Sequence, residues 1–568
     1  MKKLTIIMLL LCIAGAVVFY VYKIEDGQIE KANDFHVAAT EFSDVIETRF
    51  KSSDIKLYVD NEVMSGLKYK VFFDDEFILY ASLDFFRDIL GCSISRYVPS
   101  VYVIRRGDTR VVMDDSQKSV RIDNEEAQPM DGNVVSRSGE IFIPVDQIIE
   151  SLNYRVDYSF AKCRIDFVSE KKESPLPARY DMRDDNRVTP VRDQGKYGTC
   201  WAVASLGALE TTLMPYEKNI YSIDHLILNN SYNLDLSEGG EHNMTLAYLA
   251  SWQGPVFEKD DVYGDGKTNP DLKAVKHLEE AVIIEERDDE KLKGAIYRYA
   301  GVETSMYLEM TYENDKSEYY NSANAAYYYP EKTAPNHDVV VIGWDDNYPR
   351  ENFNNRPVSD GAFICKNSWG DDFGDGGYFY VSYEDANICQ DSVIYTAIAP
   401  SDNFDHIYQS DMLGWVGRLG FNSDSAYFAN CYTAGENEAL SAVSFYATGN
   451  NTEFTAYVVR NFEDTSSFSD KEMVASGGMR YPGYYTVRLN DPVKLSTGER
   501  FAVVVYVKTE GTDRPIAIEY RADEKSEGAD LEDGEGYMSL FGAEWYSAEQ
   551  DQNCNICLKA FTNDAVDD

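Results

Sequence analysis

The stretch Asp193-Gln194-Gly195-Lys196-Tyr197-Gly198-Thr199-Cys200-Trp201 narrows the possible architectures of this chain more than any other. A polar loop broken by Gly195 and Gly198 runs directly into Trp201 to Met214, a segment rich in Ala, Leu and Glu that Pro215 closes. That composition, with Val203, Leu206, Leu209 and Leu213 on one side, predicts a helix whose first turn carries Cys200. A thiol at a helix N-terminus lies at the positive end of the backbone dipole, which lowers its pKa and favours the reactive thiolate. A buried structural cysteine is the plainer reading of a lone thiol. The choice between the two depends on what the rest of the chain supplies.

At 568 residues, 44% of them hydrophobic, the chain is long enough for three or so folded domains. It carries 97 Asp and Glu against 53 Lys and Arg, a net charge of -44. That balance excludes nucleic acid and anionic membrane surfaces as partners, because both require basic patches. At the N-terminus Lys2 and Lys3 precede an uncharged run from Leu4 to Tyr22, followed by Lys23, Glu25 and Asp26. Residues 1–23 therefore read as a signal anchor or a signal peptide, the latter cut at Ala14-Gly15-Ala16. Cleavage there would leave apolar Val17 to Tyr22 on the mature end, which favours an uncleaved anchor. The protein is thus expected outside the cell or on its surface, touching the membrane only through this segment.

The nine cysteines form no dense disulfide framework. Cys554-Asn555-Ile556-Cys557 could be a redox pair or half a zinc site, but no second pair or nearby histidine supports either. A local disulfide or two plain thiols is the expectation.

Along the chain, 24–54 reads as a polar, partly helical spacer, and 55–168 alternates in strand fashion, as in Val101-Tyr102-Val103-Ile104. An internal repeat at a spacing of 62 matches Leu79 to Gly91 with Ile141 to Asn153, each copy reading as strand, short helix and strand. Residues 169–177 (SEKKESPLP) form a charged, proline-bearing linker and a possible processing site. Within 178–399 helices come first, with further candidates at Met244 to Trp252 and Pro270 to Ala281. Strands follow at Asp338 to Gly343, Gly361 to Lys366 and Gly377 to Tyr383. That order predicts an α+β domain with a cleft where its halves meet. From 400 to 568 short strands separated by Gly, Asn and Asp turns predict an antiparallel β-sandwich.

A cysteine nucleophile needs an imidazole to take its proton, a group to orient the imidazole, and a donor for the oxyanion. Of six histidines, His337 stands at the mouth of the apolar strand His337-Asp338-Val339-Val340-Val341-Ile342-Gly343. Asn367, in Cys365-Lys366-Asn367-Ser368-Trp369-Gly370, ends another strand. Its amide oxygen can accept from one ring nitrogen while the other faces the thiol, and Trp369 can cover that bond from water.

These segments resemble the papain family of cysteine peptidases: Gln194-Gly195 with Cys200-Trp201, then Asn336-His337, then Lys366-Asn367-Ser368-Trp369-Gly370 with Gly374, Gly377 and Tyr378. The order Cys, His, Asn is the family's. The interval from Cys200 to Asn367 somewhat exceeds the family's, which a polar insertion at about 346–360 explains. The resemblance implies a multidomain protein with an α+β papain-like catalytic domain and an N-terminal α+β, β-rich repeat module. An antiparallel β-sandwich would follow. It implies Cys200 as nucleophile, His337 as general base and then acid, Asn367 as orienter, and Gln194 with the Cys200 amide as oxyanion hole. Trp369, Gly198 and Trp201 would bind substrate or shield the site. No cofactor or metal is implied, and the substrates would be proteins or peptides. Tyr197 stands where many members carry a disulfide-forming cysteine, so that staple is absent. The usual long charged inhibitory helix is also missing upstream.

The repeat module, from about Tyr58 to Phe167, resembles the small domain named after the N-terminal domain of copper amine oxidases. It contains no histidine, so no copper is implied. The C-terminal region resembles the lectin-like sandwich of some bacterial surface cysteine peptidases, which suggests a cell-wall polymer or carbohydrate partner. Two other readings are weighed: a transglutaminase-type acyl transferase, whose third residue is usually Asp, and an inactive surface adhesin. Asp260 to Gly266 is oxygen-rich but lacks the alternation of a calcium loop, so a solvated turn is expected. Tyr327-Tyr328-Tyr329 could line the cleft or pack within a strand.

Overall fold

The computed structural model describes residues 56–565 except 61, 64–70, 75–77, 99, 107–108, 124, 138–139, 160–163, 170–175, 235–236, 480 and 533. Nearer the N-terminus it describes only backbone: Thr5–Ile13, Ala16–Glu25 and Gln28–Phe35 pair as antiparallel strands. The partly helical character expected of the spacer is therefore not found at 28–35. Among the described residues no helix is long and apolar enough to cross a membrane. The chain forms two compact units, 1–94 with 100–175 and 176–568 with 95–99. The main division falls between 175 and 176.

In the first unit both repeat copies have the expected order. Strand Leu79–Ser82, helix Leu83–Asp88 and strand Ser93–Val98 answer to strand Glu140–Pro144, helix Asp146–Ile149 and strand Tyr154–Ser159. The first strands of the two copies pair antiparallel, Ile143 opposite Ala81. Ser82 starts its helix by accepting the Phe85 N–H at 3.2 Å. Phe85, Phe86, Ile148 and Ile149 bury their side chains in one core with Val111, Ile165 and Phe167.

The second unit opens with strand β1 (Arg179–Asp181) and helices α1 (Cys200–Leu213), α2 (Ile223–Asn229) and α3 (His242–Ala250). Then come β2 (Lys276–Ile284), α4 (Asp289–Arg298), β3 (Val302–Met306), β4 (His337–Asp345), β5 (Ala362–Lys366), β6 (Tyr378–Ser382) and β7 (Ser392–Pro400). In the sheet they lie in the order β6-β5-β4-β3-β7-β2. The one-sided pattern expected of α1 is not what the fold uses: every residue from Trp201 to Leu213 is buried, Glu210 included. The helix packs against β3, β4 and β7 and against α2 and α3, so an all-round apolar surface suits it. The helix expected at Pro270 to Ala281 is corrected too. Its C-terminal part lies in β2, buried on both faces and paired on both edges, a setting that erases the strand alternation. The insertion at 346–360 lies between β4 and β5, as expected, and contains a single turn at Arg350–Asn352.

Beyond residue 400 the chain is a sandwich. One layer has the strand order Glu472–Met479, Thr452–Val459, Arg500–Lys508, Ser425–Thr433, Gly536–Ser539, Tyr546–Ser547. The other contains Gly483–Leu495, Glu438–Ala447 and Leu558–Asp564. Phe428, Phe445, Phe454, Val503, Val505 and Leu558 fill the space between them. This second layer continues the catalytic sheet: Glu280, Ala281 and Val282 of β2 pair with Tyr485, Tyr484 and Gly483. The result is one sheet of thirteen strands running through both domains. At the same junction the Trp252 and His277 rings stack at 3.8 Å, and His277 Nδ1 bonds Asn403 Oδ1 at 2.6 Å.

A Cβ added to Gly483 would sit 2.1 Å from the Ala281 carbonyl oxygen, so the junction requires glycine there. Gly483→Val should lower stability by about 1–3 kcal/mol through overpacking. Urea unfolding followed by tryptophan fluorescence measures this. An unchanged midpoint would mean that the strand junction carries no stability.

Candidate active site

Two backbone hydrogen bonds close the loop before α1 onto the loop after β5. Gln194 N–H donates to Ser368 O at 2.7 Å and Gly370 N–H donates to Arg192 O at 3.0 Å, which together make the antiparallel bridge between Asp193 and Trp369. Gly195 turns the loop with φ +59, a region that favours glycine. Thr199, the N-cap of α1, makes no side-chain cap. Its hydroxyl instead meets Tyr263 OH at 2.7 Å, and that phenol donates to Gln194 O at 2.9 Å. The Tyr197 ring packs edge-on against Tyr263, with centroids 6.3 Å apart. Where the sequence lacks the expected disulfide, a tyrosine from the 260–266 segment tethers the loop.

Two of that segment's carboxylates and the neighbouring Asp224 are occupied as hydrogen-bond acceptors, Asp265 by the Lys267 N–H. Asp261 accepts from Ser222, Thr268 and the Asn269 N–H, while Asp224 accepts from the Gly264 and Gly266 N–H groups. No group of three His, Cys, Asp or Glu among the described residues is placed to hold a metal ion.

His337 opens β4 and Asn367 directly follows β5. His337 Nε2 lies 2.7 Å from Asn367 Oδ1. The same oxygen accepts the Ser368 N–H at 2.8 Å, which fixes the orientation of the amide. Because Oδ1 only accepts, Nε2 carries the ring proton and Nδ1 is the nitrogen left to act as base. The Trp369 indole covers the pair, its centroid 5.0 Å from the imidazole, and is itself packed edge-on by Phe373. Burial pushes the His337 imidazole down to about 4, against the supporting bond from Asn367.

Cys200 takes the first position of α1, as expected, but its electrostatics differ from the expectation. Burial first, and then the neighbouring Asp338 carboxylate, push the thiol up to about 12, against the pull of the Trp201 and Cys200 N–H groups. Cys200 Sγ lies 3.8 Å from Asp338 Oδ2. The pull of the helix end toward a thiolate is thus opposed by burial and by the adjacent carboxylate.

Gln194 is buried in the loop. Its Oε1 accepts from Ser368 Oγ at 2.5 Å, so Nε2 points the other way and donates to Tyr197 O at 2.8 Å. An amide nitrogen has two N–H groups, which leaves one for an oxyanion. Gly198 lies close against the 237–238 backbone, where an added Cβ would meet Ser237 O at 3.0 Å. Trp201 corrects the expectation of substrate contact. It is fully buried, with Gly240 so tight on its ring that a Cβ there would stand 2.4 Å away. Tyr327 is likewise wholly buried in the sheet. Cys554 and Cys557 are free, buried thiols.

Reasoning from the sequence missed Glu210, Thr189 and Lys366. The Glu210 carboxylate, inside an apolar helix, receives Thr189 Oγ1, Arg192 Nη2 and the Tyr221 N–H, and Lys366 Nζ reaches Thr189 at 3.1 Å. An acid in the middle of an otherwise apolar helix was the available signal.

Tyr263→Phe removes two hydrogen bonds, each contributing about 1 kcal/mol. The looser loop should lower kcat/KM on a peptide substrate by about tenfold while the circular dichroism spectrum stays unchanged. A wild-type kcat/KM in this variant would show that the backbone contacts to Ser368 and Gly370 suffice.

Comparison with known proteins agrees with this geometry. Residues 176–397 match the papain family cysteine protease model, and residues 407–562 match a lectin-like domain. A viral cathepsin of Heliothis zea nuclear polyhedrosis virus is 28% identical over 253 residues, 43% of this chain and 63% of that protein. Cysteine proteinase 15A of Pisum sativum is 26% identical over 242 residues, 40% of this chain and 64% of that protein. The chain thus covers less than two thirds of the length of either relative. A solved structure of the clostridial cysteine protease Cwp84, in a cysteine-to-alanine variant after propeptide cleavage, superposes with a TM-score of 0.61 at 25% identity. That match covers 68% of this chain and 99% of the other. The protease and lectin-like domains of Cwp84, a surface layer associated protein of Clostridium difficile, give a TM-score of 0.60 at 24% identity over 70% and 91% of the two chains. The second unit therefore joins a cysteine peptidase domain of the papain family to a lectin-like domain.

Proposed function

We propose that this protein is an exported cysteine endopeptidase that hydrolyses peptide bonds of proteins through a thioester acyl-enzyme. The observation that carries the reading is the His337–Asn367 bond of 2.7 Å under Trp369, with Cys200 Sγ 3.8 Å from Oδ2 of Asp338, the residue that follows His337. In the first step Cys200 Sγ attacks the scissile carbonyl carbon and its proton passes to His337 Nδ1. The oxyanion is met by the free Gln194 N–H and the Cys200 backbone N–H, an arrangement whose donors each contribute about 10²-fold or more. The imidazolium then protonates the leaving amine. Water, deprotonated by the same nitrogen, cleaves the thioester and frees the acid.

The surrounding modules fit an extracellular setting. The Lys-flanked apolar run at 1–23 supports export and tethering, and the surface-layer association of Cwp84 supports a position at the cell surface. Residues 55–168, read as a module like the copper amine oxidase N-terminal domain, would act as a spacer or pro-region. The linker at 169–177 is its natural point of removal, as propeptide cleavage in the clostridial neighbour suggests. The lectin-like sandwich would dock a wall polymer or carbohydrate. A cavity of about 440 Å³ lined by Gly417, Arg418, Thr512, Arg514, Tyr520 and Gln552 offers the size and polar groups for such a ligand.

Purified protein should cleave a denatured protein substrate, and Cys200→Ala should lower that rate by at least about 10³-fold. Undiminished cleavage in Cys200→Ala would falsify the thiol mechanism. Release of ammonia from a glutamine peptide in the presence of an amine, without chain cleavage, would favour acyl transfer instead.

A further inference from the structure

The residue after the general base faces the nucleophile. Asp338 Oδ2 is the hydrogen-bond partner of Cys200 Sγ at 3.8 Å, and Oδ1 accepts from Ser305 Oγ at 2.5 Å. Ser305 lies directly opposite Asp338 in the β3–β4 ladder, so the carboxylate is held in place from the neighbouring strand. No Lys or Arg among the described residues pairs with it. Its charged surroundings are Glu241 and His242 at the start of α3, the latter 3.9 Å from Asp391, with Glu303 two residues from Ser305 on β3 and His337 next to it on β4. The side chain is partly exposed rather than sealed in the core.

A carboxylate in this position opposes the chemistry of its neighbour. When the Cys200 proton leaves for His337 Nδ1, Oδ2 loses its only donor on the thiol side and stands against a second negative charge. A group that supplies an N–H and a positive charge to Oδ2 restores the hydrogen bond and removes the repulsion. A guanidinium or ammonium on the substrate supplies both.

Resting on the peptidase reading above, we infer that Asp338 is a specificity-determining residue. It selects substrates with an arginine or lysine side chain close to the scissile bond by pairing its carboxylate with that cation. Burial raises the Asp338 carboxyl to about 6, so it is charged above that pH and protonated below it. The preference for a cation is therefore present at neutral pH and fades as the pH falls through about 6.

The experiment uses the full chain and peptidyl chloromethyl ketones carrying either arginine or citrulline, its neutral isostere, at each of the three positions before the reactive carbon. Mass spectrometry follows alkylation of Cys200. At one position the arginine reagent should react about tenfold faster than the citrulline reagent, the order expected of a partly screened ion pair. In Asp338→Asn the ratio should fall to within about twofold, whereas Asp338→Glu should retain part of it. With iodoacetamide, which carries no charge, Asp338→Asn should be alkylated at lower pH than wild type. Equal rates for the two peptidyl reagents in wild type, or a ratio kept in Asp338→Asn, would overturn the inference and leave Asp338 a strand-pairing residue. Should Asp338→Asn fail to fold, the wild-type ratio measured across pH decides, since it must collapse below about 6. Selective labelling without any peptide turnover would sink the peptidase reading alone, and turnover without selectivity would sink this inference alone.

Discussion

The backbone contacts between 192–194 and 368–370 are the constraint on which the site depends. The thiol stands on a helix and the imidazole's partner stands after a strand, and neither element fixes the position of the other. Joining Gln194 N–H to Ser368 O and Gly370 N–H to Arg192 O sets the loop that carries Gln194 against the residue beside Asn367. The same loop hands Gln194 its orientation, because Ser368 Oγ can donate only to the amide oxygen and thereby turns the nitrogen outward. Beneath it Glu210 gathers Thr189, Arg192 and Tyr221, and Lys366 joins through Thr189. A buried carboxylate left alone would be costly, and here charge-assisted bonds tie the helix to the strand leading into the loop. The precision of the site therefore comes from a polar network under it as much as from the residues that react.

Desolvation shapes the resting chemistry. The same burial that raises the Cys200 thiol to about 12 lowers the His337 imidazole to about 4, since both effects disfavour the charged form. In a chain of net charge -44, Asp338 adds a local negative charge beside the sulfur. Burial and the Asp338 carboxylate thus both oppose the charge separation that attack by the thiol requires.

The constellation of Cys200, His337, Asn367 and Gln194 was legible because each sits at the end of a segment with a strong local signal: a glycine-broken loop, an apolar strand, and an Asn-Ser-Trp-Gly turn. The sandwich strands were legible for the same reason, since Gly, Asn and Asp turns bracket them. Residues 276–284 were not, because a strand paired on both edges and buried on both faces has no polar alternation to show, and Pro270 just before it mimics a helix start. Trp201 looked like a cleft residue through its closeness to Cys200 in sequence, whereas one helical step turns it into the core. Asp338 and Tyr263 escaped notice because their partners lie far away in the chain. Nothing local distinguishes an acid at a strand mouth that faces solvent from one that faces a thiol.

The pairing of β2 with Gly483–Leu495 gives the C-terminal sandwich a structural role that a tethered accessory domain would not have. On its other side β2 already pairs with β7, and its residues are buried on both faces. Ending the sheet there would expose a row of unpaired N–H and C=O groups along an apolar edge, which invites association between chains. The sandwich strand covers that edge, with the Ile283 N–H donating to Pro482 O at 2.8 Å and Arg488 reaching Glu279 at 2.7 Å. The stacked Trp252 and His277 rings, the first following α3 and the second on β2, meet Phe561 of the sandwich at the same place, with Trp252 and Phe561 centroids 5.5 Å apart. Because α3 begins at His242, whose imidazole acts electrostatically on the Asp338 carboxylate, the surface that completes the sheet also braces the helix that carries this group.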